Sequence, residues 1–259
     1  MNRQKSVFGI RCISETGKGY GNFNRCLTVA NSLQTQKQNI IFFINKNSIV
    51  EKQLLKKKIN YIIVPKFLSK QKESFFILKK CEIINCKILL IDMREYGEIL
   101  SKYFYNNIFT ILFDDAWCKN AYANIIFNGT NVKKYHEYKL KNLRSKLFLG
   151  SKYWISNKNF LSSRKSKHKI INKKIYSIII SMGGSDPKNF SLFILKSLLD
   201  IKNIKIKIIL GPFNKNKKSI LKIIENRNNI NLIISPEKIW NEFSNSDLVI
   251  CNAGNTLFE

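Results

Sequence analysis

Apolar residues in this chain fall into short, nearly unbroken runs. In the first half these are Val7–Ile10, Ile40–Ile44, Tyr61–Val64, Ile88–Ile91 and Phe109–Phe113, with weaker ones at Ile125–Phe127 and Leu147–Leu149. The second half repeats the pattern at Ser177–Ile180, Ile204–Leu210, Asn231–Ile234 and Leu248–Cys251. Runs of this kind predict strands buried on both faces, as in a parallel sheet. Between them, Arg25–Leu33, Glu51–Lys57, Glu98–Tyr105, Phe190–Leu199, Ile220–Ile224 and Ile239–Phe243 place apolar residues at the helical period. Strand and helix in alternation predict an α/β protein with right-handed crossovers. The stretch Leu161–Lys174 is polar, basic and aperiodic, and a fresh strand–loop–helix unit follows it. It reads as a linker between two Rossmann-like domains, residues 1–160 and 175–259. Ligands are then expected in a cleft between the domains, outside the carboxyl ends of the strands.

Composition narrows the class. The 259 residues are 44% hydrophobic, enough for a substantial core. No run of about 18 uncharged apolar residues occurs, so no spanning helix is expected. The opening residues Met1-Asn2-Arg3-Gln4-Lys5 lead straight into the first strand, leaving no signal-peptide core and pointing to the cytoplasm. The net charge of +28 favours phosphates, nucleic acid or anionic lipid. Lysine is dispersed among Asn and Ile, however, and the densest basic run, Arg164–Lys169, carries no interleaved aromatic residue. A specific nucleic-acid partner is therefore not expected, while contact with a membrane surface stays open. Six scattered cysteines form no C-x-x-C pair and only two histidines accompany them, so buried reduced thiols are expected, with no metal and no cofactor.

Four groups of loop residues could carry chemistry. Gly17-Lys18-Gly19-Tyr20-Gly21-Asn22-Phe23-Asn24-Arg25 follows the first strand and opens a helix, an order that lets backbone N–H groups converge on an anion. Asn22 would serve there either in the site or as a helix cap. Ser181-Met182-Gly183-Gly184-Ser185-Asp186-Pro187 offers glycines, a hydroxyl and a carboxylate, for a phosphate or sugar contact or for a tight turn capped by Asp186. Leu210-Gly211-Pro212 reads as a turn. Asn252-Ala253-Gly254-Asn255-Thr256-Leu257-Phe258-Glu259 suits a diphosphate and ribose, or a plain helix entry. Asp92 and Asp114-Asp115 end strands, where carboxylates act as acid and base or cap loops.

Together these loops resemble one family. Gly19-Tyr20-Gly21-Asn22-Phe23-Asn24-Arg25-Cys26-Leu27-Thr28-Val29-Ala30 is similar to the G-x-G-H-x-x-R-C-L-x-L-A signature of the pseudaminic-acid pathway UDP-sugar hydrolases and the related spore-coat polysaccharide proteins. Asp92, Asp114-Asp115 and Leu149-Gly150-Ser151-Lys152-Tyr153 stand where that family has D-x-Y, D-D and L-G-x-x-Y. The Ser181–Pro187 loop resembles its F-G-G-x-D-P, and Asp247 through Glu259 resembles its D-x-x-I-x-x-x-G-x-T-x-x-E nucleotide loop.

The resemblance implies a GT-B-like fold and metal-free transfer of a sugar's anomeric carbon to water, releasing UDP and a diacetamido-trideoxyhexose. It implies that Gly254, Thr256 and Glu259 hold the nucleotide, where the loop itself also offers the Asn255 backbone amide, and that Gly183, Gly184 and Ser185 line the cleft. Gly19, Gly21 and Arg25 would frame the reacting centre. Three departures stand out. The signature histidine is Asn22, whose amide takes no proton near neutral pH. The D-x-Y tyrosine is Arg94, and Ile155-Ser156-Asn157-Lys158-Asn159-Phe160 lacks the arginine of L-L-R-P-x-F. The catalytic candidates are thus Asn22, Asp92 and Asp115. A GT-B glycosyltransferase with an acceptor hydroxyl in place of water, and a catalytically impaired UDP-sugar-binding protein, remain alternatives. The end at Glu259 reads as a second domain cut short.

Overall fold

The computed structural model describes residues 6–13, 15, 20–66, 69–94, 97–115, 118–141, 144–165, 174–252 and 254–258. They divide into two compact units, one holding β1 and Asn22–Ile155, the other holding Ser156 onward with Tyr20 and Gly21.

The first unit begins with β1 (Val7–Cys12), α1 (Tyr20–Thr35), β2 (Asn39–Ile44), α2 (Ser48–Lys56) and β3 (Asn60–Ile63). It continues with α3 (Lys70–Ile83), β4 (Cys86–Asp92), α4 (Gly97–Phe104) and β5 (Phe109–Phe113). Beyond these come β6 (Asn120–Ala121), β7 (Ile125–Asn128), β8 (Lys139–Leu140) and β9 (Lys146–Leu149), of which β6 and β8 form a small pair of their own. The main sheet runs β3-β2-β1-β4-β5-β7-β9, with every neighbour parallel. Its core is built from Phe43, Leu89, Ile91, Leu112 and Ile126 against Ile77, Leu100 and Phe104 of the helices. Burying each such side chain stabilises the fold by about 1.5–3 kcal/mol.

The second unit contains α5 (Lys158–Lys165), β10 (Ser177–Ser181), α6 (Phe190–Leu198), β11 (Lys205–Leu210) and α7 (Lys217–Ile224). It ends with β12 (Ile230–Ile234), α8 (Ile239–Ser244) and β13 (Leu248–Cys251). Its sheet, β12-β11-β10-β13, is also wholly parallel. Every strand expected from the apolar runs is present, within one or two residues at the ends.

Two helices depart from the sequence expectation. The first, α3, hides its period because its buried face includes Glu73 and Ser74 beside Ile77 and Cys81. Glu73 is buried because Arg11 of β1 donates to its Oε1 through Nε (3.0 Å) and Nη2 (2.7 Å). A local apolar pattern cannot register a helix face completed by an ion pair. The second, α5, occupies the start of the stretch read as a linker. Its Phe160 packs against Trp240 and Phe243, both at ring-centroid distances of 6.0 Å, which ties residues from Ser156 onward to the second unit. Residues 166–173 of that stretch lie outside the described residues.

Candidate active site

Strand β1 lies between β2 and β4, so the winding direction reverses there, as it does where β10 lies between β11 and β13. At such a switch point adjacent loops diverge beyond the carboxyl ends of the strands and leave room for a ligand. The candidate residues collect at these two places.

At the first, α1 presents Asn22, Arg25 and Cys26, spaced three and four apart on one face, to the end of β4. Asp92 is the last residue of that strand. Arg25 Nε donates to Asp92 Oδ2 at 2.8 Å and Nη2 donates to Oδ1 at 2.7 Å. Asn22 Nδ2 donates to the same Oδ1 at 2.6 Å, and the Cys26 thiol to Oδ2 at 3.5 Å. Arg25 Nη1 reaches Asp115 Oδ2 at 3.2 Å. Phe113 and Trp154 stand 5.6 and 5.8 Å from the guanidinium carbon, a cation–π arrangement that holds its plane. Burial works against the charge of Arg25, and the Asp92 and Asp115 carboxylates outweigh it, so its pKa is raised above the usual arginine value. Burial, foremost, pushes the Cys26 thiol well up.

The carboxylates differ in what they can do. Asp92 is 1% exposed and every oxygen is engaged, so it orients its neighbours. Asp115 is 25% exposed and keeps Oδ1 without a partner among the described residues. Asp114 is buried, accepting from the Tyr138 hydroxyl at 2.7 Å and the Cys118 N–H at 2.9 Å. Asn128 Nδ2 donates to that same hydroxyl, and burial, with Asp114 next, raises the Tyr138 pKa. The Asp114 network thus braces the loop from which Asp115 projects. Asn22 is not a helix cap, because α1 already begins at Tyr20 and the Asn22 side chain turns to Asp92.

At the second switch point, Gly183 adopts φ +83°, a conformation open to glycine. Asp186, expected as a cap, accepts from the N–H groups of Phe190 and Ser191 at 2.9 and 2.8 Å. The first turn of α6 is therefore filled by the chain's own carboxylate, and Gly184 packs against Tyr20 and Gly211, which leaves Gly183 and Ser185 as the less enclosed candidates of that loop. Asn252 Nδ2 donates to the Met182 carbonyl at 3.3 Å and its side chain lies beside both Gly183 and Gly254. Gly254 N–H donates to the Asn252 carbonyl at 2.8 Å, and Asn255–Leu257, which includes Thr256, forms a 3₁₀ turn. Asn255 Nδ2 donates to the Gly21 carbonyl at 3.0 Å. Gly19 and Glu259 lie outside the described residues.

Two supports were missed in the sequence reading. Asn252 links the Gly183 and Gly254 loops, and its place just after β13 is the signal available in the sequence. Gly211 opens the expected turn, its carbonyl accepting from the Asn214 N–H at 3.2 Å, and in addition a Cβ there would fall 2.4 Å from Gly184 Cα. Close backbone approach is what demands glycine at that position. Among the described residues no group of three or more His, Cys, Asp or Glu side chains is placed to hold a metal ion, and no helix is long and apolar enough to cross a membrane.

The two parallel, doubly wound units define a GT-B-like α/β fold of Rossmann-like units. Solved structures agree. Acinetobacter baumannii MurG superposes with a TM-score of 0.57 at 13% identity, over 98% of this chain and 74% of that one. Staphylococcus aureus MnaA, solved with UDP, gives 0.62 at 10% identity, over 97% and 75%. Neisseria meningitidis UDP-GlcNAc 2-epimerase, bound to UDP-GlcNAc, gives 0.60 at 12% identity, over 96% and 78%. No family model matches the chain. In sequence, the chain is 28% identical over 256 residues to the uncharacterized protein MJ1062 of Methanocaldococcus jannaschii, covering 93% of this chain and 50% of that protein. It is 30% identical over 148 residues to the UDP-2,4-diacetamido-2,4,6-trideoxy-beta-L-altropyranose hydrolase of Campylobacter jejuni, covering 57% and 52%. It is 24% identical over 250 residues to the spore coat polysaccharide biosynthesis protein SpsG of Bacillus subtilis, covering 93% and 70%. The chain spans about half the length of the first two of these relatives.

Proposed function

We propose that this chain processes a UDP-sugar in surface-glycan biosynthesis, cleaving the anomeric bond to release UDP and a free diacetamido-trideoxyhexose. The observation that carries the reading is the Asn22–Arg25–Asp92–Asp115 cluster at the first switch point. The name of the Campylobacter relative supports the ligand class, and that of the Bacillus relative supports polysaccharide biosynthesis. Gly183, Gly184, Ser185, Gly254, Asn255, Thr256 and Glu259 hold UDP, and Gly19 and Gly21 border the reacting centre with Arg25.

The step is a substitution at the anomeric carbon. Water oxygen forms the new bond, the bond to the β-phosphate oxygen breaks, and UDP leaves with the electron pair. The water proton goes to Asp115, whose Oδ1 is open, rather than to Asp92, whose oxygens are occupied. Asn22 contributes no proton transfer.

The test is UDP release from a UDP-diacetamido-trideoxyhexose, followed by phosphorus NMR with and without sugar acceptors. Release without an acceptor is expected. Strict acceptor dependence would favour the glycosyltransferase reading, and binding without turnover a ligand-binding homologue.

A further inference from the structure

We infer that Asn22 is a fixed hydrogen-bond acceptor, whose side-chain oxygen recognises an O–H or N–H donor on the sugar side of the ligand. The inference rests on the nucleotide-sugar reading above and says what its unusual residue does there.

The orientation of an asparagine amide is ordinarily a choice between two nearly identical fits. Here the partner decides it. Both Asp92 oxygens accept from Arg25, at 2.7 and 2.8 Å, so they present lone pairs. The Asn22 atom 2.6 Å from Asp92 Oδ1 must then be the donor, Nδ2. The amide oxygen sits on the other branch of the same planar group and is turned off Asp92. Nothing among the described residues donates to it. Asn22 is half-buried, so that oxygen is open to a ligand. Asp92 and Arg25 are the positioning pair, because they set which end of the amide is offered.

The arrangement separates two abilities that a histidine at this position would combine. An imidazole donating one N–H to Asp92 would leave a nitrogen that both accepts a hydrogen bond and takes a proton. The amide oxygen keeps the first ability and lacks the second. Position 22 therefore acts in recognition, and proton transfer falls to another group.

Two measurements on the full chain test this. Side-chain amide NMR should show one Asn22 proton shifted downfield and slow to exchange, and Asp92→Ala should return it to the free-amide position. An unshifted Asn22 amide overturns the orientation. Calorimetry with UDP and with UDP-N-acetylglucosamine should show Asn22→Ala binding UDP unchanged and the nucleotide-sugar about 3- to 10-fold more weakly. Asn22→His should restore that affinity at pH 8 and lose it as the ring protonates. Asp92 and Asp115 favour the protonated ring and Arg25 opposes it, so the loss centres near or above about pH 6.5. Equal nucleotide-sugar affinity in Asn22→Ala and the unaltered chain overturns this inference alone. Failure of the unaltered chain to bind UDP overturns the nucleotide-sugar reading, and this one with it.

Discussion

Arg25 holds Asp92 through both carboxylate oxygens, with 7% and 1% of the two side chains exposed. An ion pair so enclosed is costly to halve, because the remaining partner keeps its desolvation and loses its compensation. Asp92→Ala is expected to destabilise the first unit by about 3–5 kcal/mol, read from urea denaturation. Asp92→Asn, which still accepts one bond from Arg25, should lose less. Equal stability of Asp92→Ala and the unaltered chain would contradict the pairing.

Asp115 should separate activity from stability. Its single bond to Arg25, at 3.2 Å and partly solvated, adds about 1 kcal/mol or less. Asp115→Asn is expected to slow UDP release by about 10²-fold or more while leaving the denaturation midpoint nearly unchanged. Undiminished release would remove Asp115 from the base role.

Asn22→His adds a proton acceptor at a position where the chain itself has none, in addition to Asp115. UDP release should then rise, by up to about 10²-fold. No gain at pH 8 would count against a hydrolase weakened only at this position.

The Arg11–Glu73 pair makes stability depend on acid. Burial opposes the Glu73 charge, but Arg11 and Lys70 outweigh it, so its pKa is lowered from 4.5. A carboxylate lowered in the folded state stabilises fully above its unfolded value, and that contribution is lost as pH falls through the folded one. Melting temperature is expected to drop below about pH 4.5, and Glu73→Gln should flatten that part of the profile while lowering the plateau.

Gly211→Ala tests the backbone packing of the second switch point. The added Cβ would meet Gly184 Cα at 2.4 Å and the Gly183 and Gly184 carbonyl oxygens at 2.5 Å, so backbone has to move. A loss of about 1–3 kcal/mol from the second unit, with weaker UDP binding, is expected by denaturation and calorimetry. A neutral outcome in both would mean that the two loops are not rigidly set against each other.

Much of this architecture was legible along the chain. Strands buried on both faces need continuous apolar runs, so Ile88–Ile91 or Ile204–Leu210 announce themselves without any knowledge of neighbours. The glycine loops at strand ends were legible too, since their positions relative to the runs place them at one edge of a parallel sheet. Helix α3 was not, because Glu73 is buried by a partner 62 residues away in sequence. Nor was α5, whose anchoring residue Phe160 finds Trp240 and Phe243 only once the second unit has formed.

The site divides in the same way. The sequence by itself determined which residues stand at the strand ends, and that Asn22 belongs to a glycine-rich stretch between the first strand and a helical run. The tertiary structure decided what each one does. It enclosed Asp92 between Arg25 and Asn22, braced Asp114 with Tyr138, and left Oδ1 of Asp115 and Oδ1 of Asn22 without a donor among the described residues. Periodicity is a property of neighbours along the chain, whereas a carboxylate's role follows from which donors reach it through space.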